Sequence, residues 1–273
     1  MISSKLSLQD VAQLVEFGEG EACADMFLAA PADFAAGMGL RVERVGSAIA
    51  LITAKMDIML FNRVIGLGVI EPATEAMVDD IATLYHQAGL RNFAIQVSPF
   101  AQPSALPAWL EARGLTRRDN WAKVYRGVEP PPPVPTDLRI ESIGLDQAGA
   151  FAAVACTAFG MPDTFQPWLA ADVGRPGWRH YLAWDGEVPV ATGALFVKDR
   201  IGWLGVGSTL LSHRRRGAQG AIMAQRIRDG AELGCRWLIT ETGEDVANRP
   251  NPSYHNMVRT GFELAYQRSN YMV

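Results

Sequence analysis

Several common classes of protein are excluded by what this sequence lacks. Cysteine is scarce: Cys23, Cys156 and Cys235 are the only three, too scattered for a zinc or redox spacing, and their odd number suits a reducing compartment. The four histidines, His86, His180, His213 and His255, include no His-x-x-x-His pair, so no metal site is expected. No apolar run is long enough to span a bilayer, and Met1-Ile-Ser-Ser-Lys does not open a signal peptide. The expected location is the cytoplasm, with no membrane partner. Excess positive charge is missing too: a net charge of -4 and a pI near 5.6 argue against nucleic acid as a partner. There is no Gly-x-Ser-x-Gly elbow, and no Gly-Lys-Ser/Thr closes a glycine loop.

What is present is apolar content of 49% over 273 residues, enough for two ordinary cores. Between them lies Val128-Glu-Pro-Pro-Pro-Pro-Val-Pro-Thr136, a stiff extended connector unsuited to helix or sheet interior. The expected division is a first domain over 1–127, a linker over 128–136 and a second domain over 137–273. In the first domain, residues 1–36 read as helical, with one amphipathic piece over 6–15 and another over 23–30. Strands are expected over 40–45, 48–54, 57–69 with a break, 92–97 and 121–126, and helices over 74–87 and 106–112. In the second domain, strands are expected over 138–143, 180–184, 189–197, 201–209 and 235–242, and helices over 147–159, 165–172 and 221–233. Asp185-Gly186 and Lys198-Asp199-Arg200 suit hairpin turns.

The most informative stretch runs from Trp203 to Thr242 and reads strand, basic glycine turn, helix, strand. Met223, Ile227 and Ala231 fall at helical spacing, with Gln225, Arg228, Asp229 and Glu232 on the opposite side. Gly217 and Gly220 remove side chains where the chain enters this helix, behind Arg214, Arg215 and Arg216. A helix start offers unpaired N–H donors and a positive dipole end, so the turn is expected to hold an anion such as a phosphate group. Gly205-Val-Gly207 is not a dinucleotide fingerprint, because no third glycine follows.

These residues resemble the GNAT superfamily of acyl-CoA-dependent N-acyltransferases. The family's phosphate-loop pattern, Gln/Arg-x-x-Gly-x-Gly/Ala, is matched by Arg214-Arg-Arg-Gly217-Ala218, with Gln219 where Gly or Ala is usual, then Gly220. Asn251-Pro-Ser-Tyr-His-Asn256-Met-Val-Arg-Thr-Gly261-Phe262 looks like the family's second cofactor segment. The two halves also echo each other. Arg63-Val-Ile-Gly-Leu-Gly-Val69 parallels Arg200-Ile-Gly-Trp-Leu-Gly-Val206, and Trp109-Leu-Glu-Ala-Arg-Gly-Leu parallels Met257-Val-Arg-Thr-Gly-Phe. The first copy is shorter where the second carries its arginine turn. The expected fold class is therefore α/β (α+β): two GNAT-like domains, each a mixed, mostly antiparallel sheet flanked by helices, with a degenerate N-terminal copy.

The resemblance implies acetyl-CoA as the cofactor, with its diphosphate on the amides of residues 215–220. Its pantetheine would pair with the strand end at Thr209, Leu210 and Leu211, where the central strands must splay. It implies transfer of an acetyl group to a primary amine of a small molecule or peptide. A neutral amine is the nucleophile, so a proton acceptor is needed; Glu241 is the first candidate and Glu244 the alternate. A backbone N–H around Leu210 is the expected oxyanion donor. The family's usual tyrosine position is Met257, which leaves Tyr254 as the candidate acid, equally suited to packing against the cofactor or the core. Asn251, Ser253 and Asn256 are candidate cofactor contacts, Asn251 or Ser253 being equally suited to capping their helix. A catalytically silent acyl-CoA-binding or sensing protein is the alternative reading, and both monomer and homodimer are open.

Overall fold

The computed structural model describes residues 6–273. The sequence piece at 1–5 lies outside the described residues. The first half runs α1 (Leu8–Leu28), α2 (Ala32–Met38), β1 (Leu40–Val45), β2 (Ala48–Thr53), β3 (Arg63–Ile65), α3 (Glu75–Gln87), β4 (Ala94–Val97), α4 (Leu106–Ala112) and β5 (Thr116–Arg126). The second runs β6 (Arg139–Ile143), α5 (Ala148–Phe159), α6 (Gln166–Ala170), β7 (Trp178–Asp185), β8 (Val188–Lys198), β9 (Ile201–Thr209), α7 (Ala218–Glu232), β10 (Trp237–Gly243), α8 (Pro252–Arg259) and β11 (Glu263–Met272). Local chemistry accounts for most of these ends. Asp199 and Arg200, both at positive φ, form the two-residue turn between β8 and β9, whose twist suits a hairpin. Gly160 closes α5 in the left-handed conformation.

All eleven strands form one sheet, ordered β1-β2-β3-β4-β11-β5-β10-β9-β8-β7-β6. Among the described residues only β3–β4 and β9–β10 are parallel, and each of these pairs is joined by a crossover helix, α3 or α7. The arrangement is repeated on either side of the β11–β5 pair, with the last strands exchanged. Strand β5, from the first half, pairs with β10, and β11, from the second, pairs with β4. The sheet is therefore continuous across the proline-rich connector.

Helix α1 is a single element, not two pieces. It continues through Gly18 and Gly20 because the sheet approaches too closely there for side chains. A Cβ on Gly18 would lie 2.6 Å from the Ile239 side chain, and one on Gly20 would lie 3.1 Å from Ile49. Packing outweighs the roughly 1 kcal/mol helix penalty of a glycine. The same helix buries Glu16 and Glu19, whose charges meet Arg268, Lys123 and Arg63 from the sheet. Strand β11 is a second departure from the sequence reading, which gave residues after Phe262 no strand. Its Arg268 and Asn270 are fully buried polar residues at alternate positions, so the apolar alternation of an ordinary core strand is missing. Strand β5 begins at Thr116, five residues before the expected start. Among the described residues no helix is long and apolar enough to cross a membrane.

Candidate active site

The basic glycine turn lies at the C-terminal end of β9 and leads into α7. Gly217 caps the helix from the left-handed region, at φ 82°, and Arg215 stands at φ 67°. The helix has no side-chain cap. Its first helical bond from the turn is made by the Ala221 N–H to Gly217 O, at 3.0 Å. Among the described residues, the N–H groups of residues 214–220 donate to no protein group. Left-handed residues two apart, Arg215 and Gly217, bend the chain so that such donors can gather in a concavity suited to an anion.

The three arginines part company. Arg216 is clamped by Asp185, at 2.6 Å, and by Asp137. The hydrogen bonds it donates to Asp185 and then to Asp137 raise its pKa, and both carboxyls are held below the usual carboxylate range by the same guanidinium. Arg214 and Arg215 are exposed and have no carboxylate partner among the described residues. Only these two carry uncommitted charge beside the amides.

Gln219, the departure from the family pattern, has a structural role. Its Nε2 donates to Ser208 O at 2.6 Å, Thr192 O at 3.1 Å and Thr209 Oγ1 at 3.2 Å, tying the first turn of α7 to the ends of β8 and β9. Here β9 carries a bulge: one residue of β8, Gly193, faces Val206 and Gly207. Val206 sits at φ 49°, an outlier for a β-branched residue. From α7, the buried Arg226 donates to Gly205 O and Ala194 O, both at 3.1 Å, on the two strands at this irregularity. Burial lowers its pKa to about 10, still charged at neutral pH.

The parallel ladder of β9 and β10 ends at Trp203↔Ile239, although β9 continues to Thr209 and β10 to Gly243. A last tie, Thr240 Oγ1 to Leu204 O at 2.7 Å, marks where they diverge. The expected splay is present. The Leu210 N–H, the expected oxyanion donor, is already bonded to Val190 O at 2.9 Å. Alternation along the β8–β9 ladder therefore turns the backbone groups of Thr209, not Leu210, toward the opening. Leu211 is exposed beyond it.

Glu241 lies on the α1 side of β10. Its carboxylate accepts from Trp203 Nε1 and from Lys123 Nζ, each at 3.1 Å. Lys123 is fully buried and also meets Glu19, which Arg268 and Arg63 approach as well. Burial alone would raise the Glu19 pKa, but Arg268, Lys123 and Arg63 together hold it well below the carboxylate range. The Trp203 indole lies flat along its own strand over Gly205, where a Cβ would sit 1.8 Å from the ring. Glu244 is tied to Asn120 at 3.0 Å and to Arg249 at 3.3 Å. The sequence reading does not single out Lys123. The alternation Trp121, Lys123, Tyr125 was the available signal that Lys123 faces inward.

On α8, Asn251 is the helix cap. Its Oδ1 accepts from Ser253 N at 2.9 Å and Tyr254 N at 3.3 Å, while its Nδ2 reaches Thr242 Oγ1 and Gly243 O at the end of β10. Ser253 is exposed, and Asn256 bonds Arg259. Tyr254 packs against the buried cluster that includes Ile222, Met257 and Phe262, and among the described residues its hydroxyl has no hydrogen-bond partner. Met257, at the family's tyrosine position, is buried.

The first half closes the equivalent places with its own groups. The start of α3 is capped by Thr74, whose Oγ1 accepts from Met77 N at 3.2 Å. Beyond β3, the Gln102 N–H donates to Gly68 O and Gln102 O accepts from Ala73 N, both at 2.7 Å, so residue 102 lies against the strand end like an added strand.

No family model matches the sequence, and no curated protein does. Solved structures do match. A GCN5-related N-acetyltransferase from Kribbella flavida superposes with a TM-score of 0.65 at 19% identity, covering 94% of this chain and 95% of that one. A tandem GNAT protein from the clavulanic acid biosynthesis pathway gives 0.55 at 14% identity, covering 97% and 95%. An acetyltransferase of the GNAT family from Colwellia psychrerythraea gives 0.51 at 16% identity, covering 98% and 97%. With its bulged β9, its splayed β9–β10 pair and its open α7 start, this chain has the fold of the GNAT N-acetyltransferases, built twice in tandem.

Proposed function

We propose that the protein is an N-acyltransferase that moves the acetyl group of acetyl-CoA to a primary amine of a small molecule or peptide. The observation that carries this reading is the contrast between the halves. The second keeps an uncapped, amide-rich helix start beside a splayed strand pair, while the first fills both with Thr74 and Gln102. A cradle of free amides with glycine at its centre fits a diphosphate, and the open edge at Thr209 fits the amides of pantetheine. Acetyl-CoA would supply an activated acetyl thioester there.

The amides of residues 215–220 would bind and orient the cofactor, with Arg214 and Arg215 adding attraction. Thr209 would align its arm by backbone pairing. Glu241, fixed by Lys123 and Trp203, is the proposed proton acceptor for the amine, acting through water. The unbonded Tyr254 hydroxyl is the proposed donor to the departing sulfur. Asn251 acts by holding α8 to β10. We also propose the division into 1–127, 128–136 and 137–273 as the units that were duplicated, and a reducing, cytoplasmic location, in keeping with three free, buried cysteines.

The test is calorimetric titration with CoA, followed by thiol release from acetyl-CoA across a panel of amines, amino acids and aminoglycosides. Binding with amine-stimulated release is expected. Binding with no release on any amine would give the silent binding protein instead, and no binding at millimolar CoA would overturn the proposal.

A further inference from the structure

We infer that Thr136, at the end of the connector between the halves, is a positioning residue for the anion cradle. This rests on the proposed cofactor reading. The connector returns across the mouth of α7: Val134 lies where a Gly220 side chain would be, with a carbon 2.8 Å from that Cβ position, and Pro135 O lies 2.4 Å from the Cβ position of Gly217. The next residue makes the decisive contact. Thr136 Oγ1 donates to Arg216 O at 2.7 Å and accepts from Leu138 N at 3.2 Å, so its hydroxyl is oriented by a donor on one side and an acceptor on the other.

The Arg216 carbonyl belongs to the same peptide plane as the Gly217 N–H. In a trans peptide these two groups point in opposite directions. Drawing the carbonyl toward the connector therefore turns the Gly217 N–H away from it, toward the space faced by the neighbouring unpaired amides. Glycine at φ 82° has few steric limits of its own to hold that plane. The orientation is supplied from outside the loop, by a residue 80 positions away in sequence. Arg216, fixed by Asp137 and Asp185, holds the same segment through its side chain.

Thr136→Val keeps the shape and removes the hydroxyl, and Thr136→Ser keeps the hydroxyl. Titration calorimetry of the full chain with CoA should show Kd rising about tenfold in T136V, the loss expected when one charge-assisted hydrogen bond is weakened. T136S should bind within about twofold of wild type, a difference small against the factor of ten carried by 1.4 kcal/mol. S-acetylpantetheine, which has no diphosphate, should bind T136V and wild type alike, and kcat should be unchanged while KM for acetyl-CoA rises. Equal affinity of T136V and wild type for CoA would overturn the inference alone, as would an equal loss for S-acetylpantetheine or a tenfold loss in T136S. If wild type ignores CoA, the proposed function falls first and this inference with it.

Discussion

Gly217 and Gly234 make a matched pair for testing whether the turn before α7 is held by the connector. Both occupy the left-handed region, at φ 82° and 80°. Alanine at either position should therefore cost about 1–2 kcal/mol of backbone strain. Their surroundings differ. A Cβ at Gly234 meets nothing within 4 Å, whereas at Gly217 it meets Pro135 O at 2.4 Å and Thr136 Cβ at 3.3 Å. Pro135 O is a backbone atom, so relief requires the connector or the turn to move, which adds an overpacking cost of roughly 1–3 kcal/mol. Gly217→Ala should lose about 2–5 kcal/mol in urea unfolding, set against about 1–2 for Gly234→Ala. Only the first should weaken CoA binding, by about tenfold or more, because the amides on either side of residue 217 shift with it. Equal stability losses, or wild-type CoA affinity in G217A, would refute the argument that this turn is built against the connector and used as a cradle.

Three further outcomes are expected. Calorimetry should give one CoA per chain, since Gln102 and Thr74 occupy the equivalent places in the first half; two equivalent sites would contradict that. Lys123→Met should destabilise the protein by about 3–5 kcal/mol in urea, because Glu19 and Glu241 lose a shared buried partner, and adding Glu19→Gln should recover part of this. The Glu19 pKa is depressed in the folded state, so its contribution is complete above the ordinary carboxylate value of about 4.3 and is lost as pH falls below it; the acid limb should be shallower in K123M. Alanine at Arg214 and Arg215 should weaken CoA binding most at low salt and leave urea unfolding unchanged, whereas Arg216→Ala, which breaks ion pairs with the solvent-exposed Asp137 and Asp185, should lower stability slightly as well.

How much could be read from residues alone depended on whether the deciding contact was local. Helices α3 and α7 show their buried faces at helical spacing, the prolines mark the connector, and the glycines beside three arginines mark the turn. Strand β11 is hidden in the sequence because its inward positions carry Arg268, which meets carboxylates on α1 some 250 residues earlier in the chain, and Asn270, which pairs with Gln96 and Asp119. In the sequence helix α1 reads as two pieces because the reason for Gly18 and Gly20 is the sheet beneath them. The return of the connector over α7 left no trace in spacing, since Thr136 and Arg216 are distant in sequence. The engagement of Leu210 N–H followed from the β8 register, which no turn residue announces. Glu241 was placed on the correct strand, while its binding to Lys123 and Trp203 depended on the exchange of β5 across the sheet.

That exchange has a consequence for how the chain is made. Strand β4 ends at Val97, and the neighbour it requires, β11, begins only at Glu263, so it leaves the ribosome long after β4 does. At ordinary synthesis rates the delay is on the order of 10–30 s, during which an unfinished edge waits in a crowded cell. Nascent copies translated side by side on one message would have the means to trade their β11 strands, and a chaperone that shields this edge until β11 emerges would favour closure within a single chain.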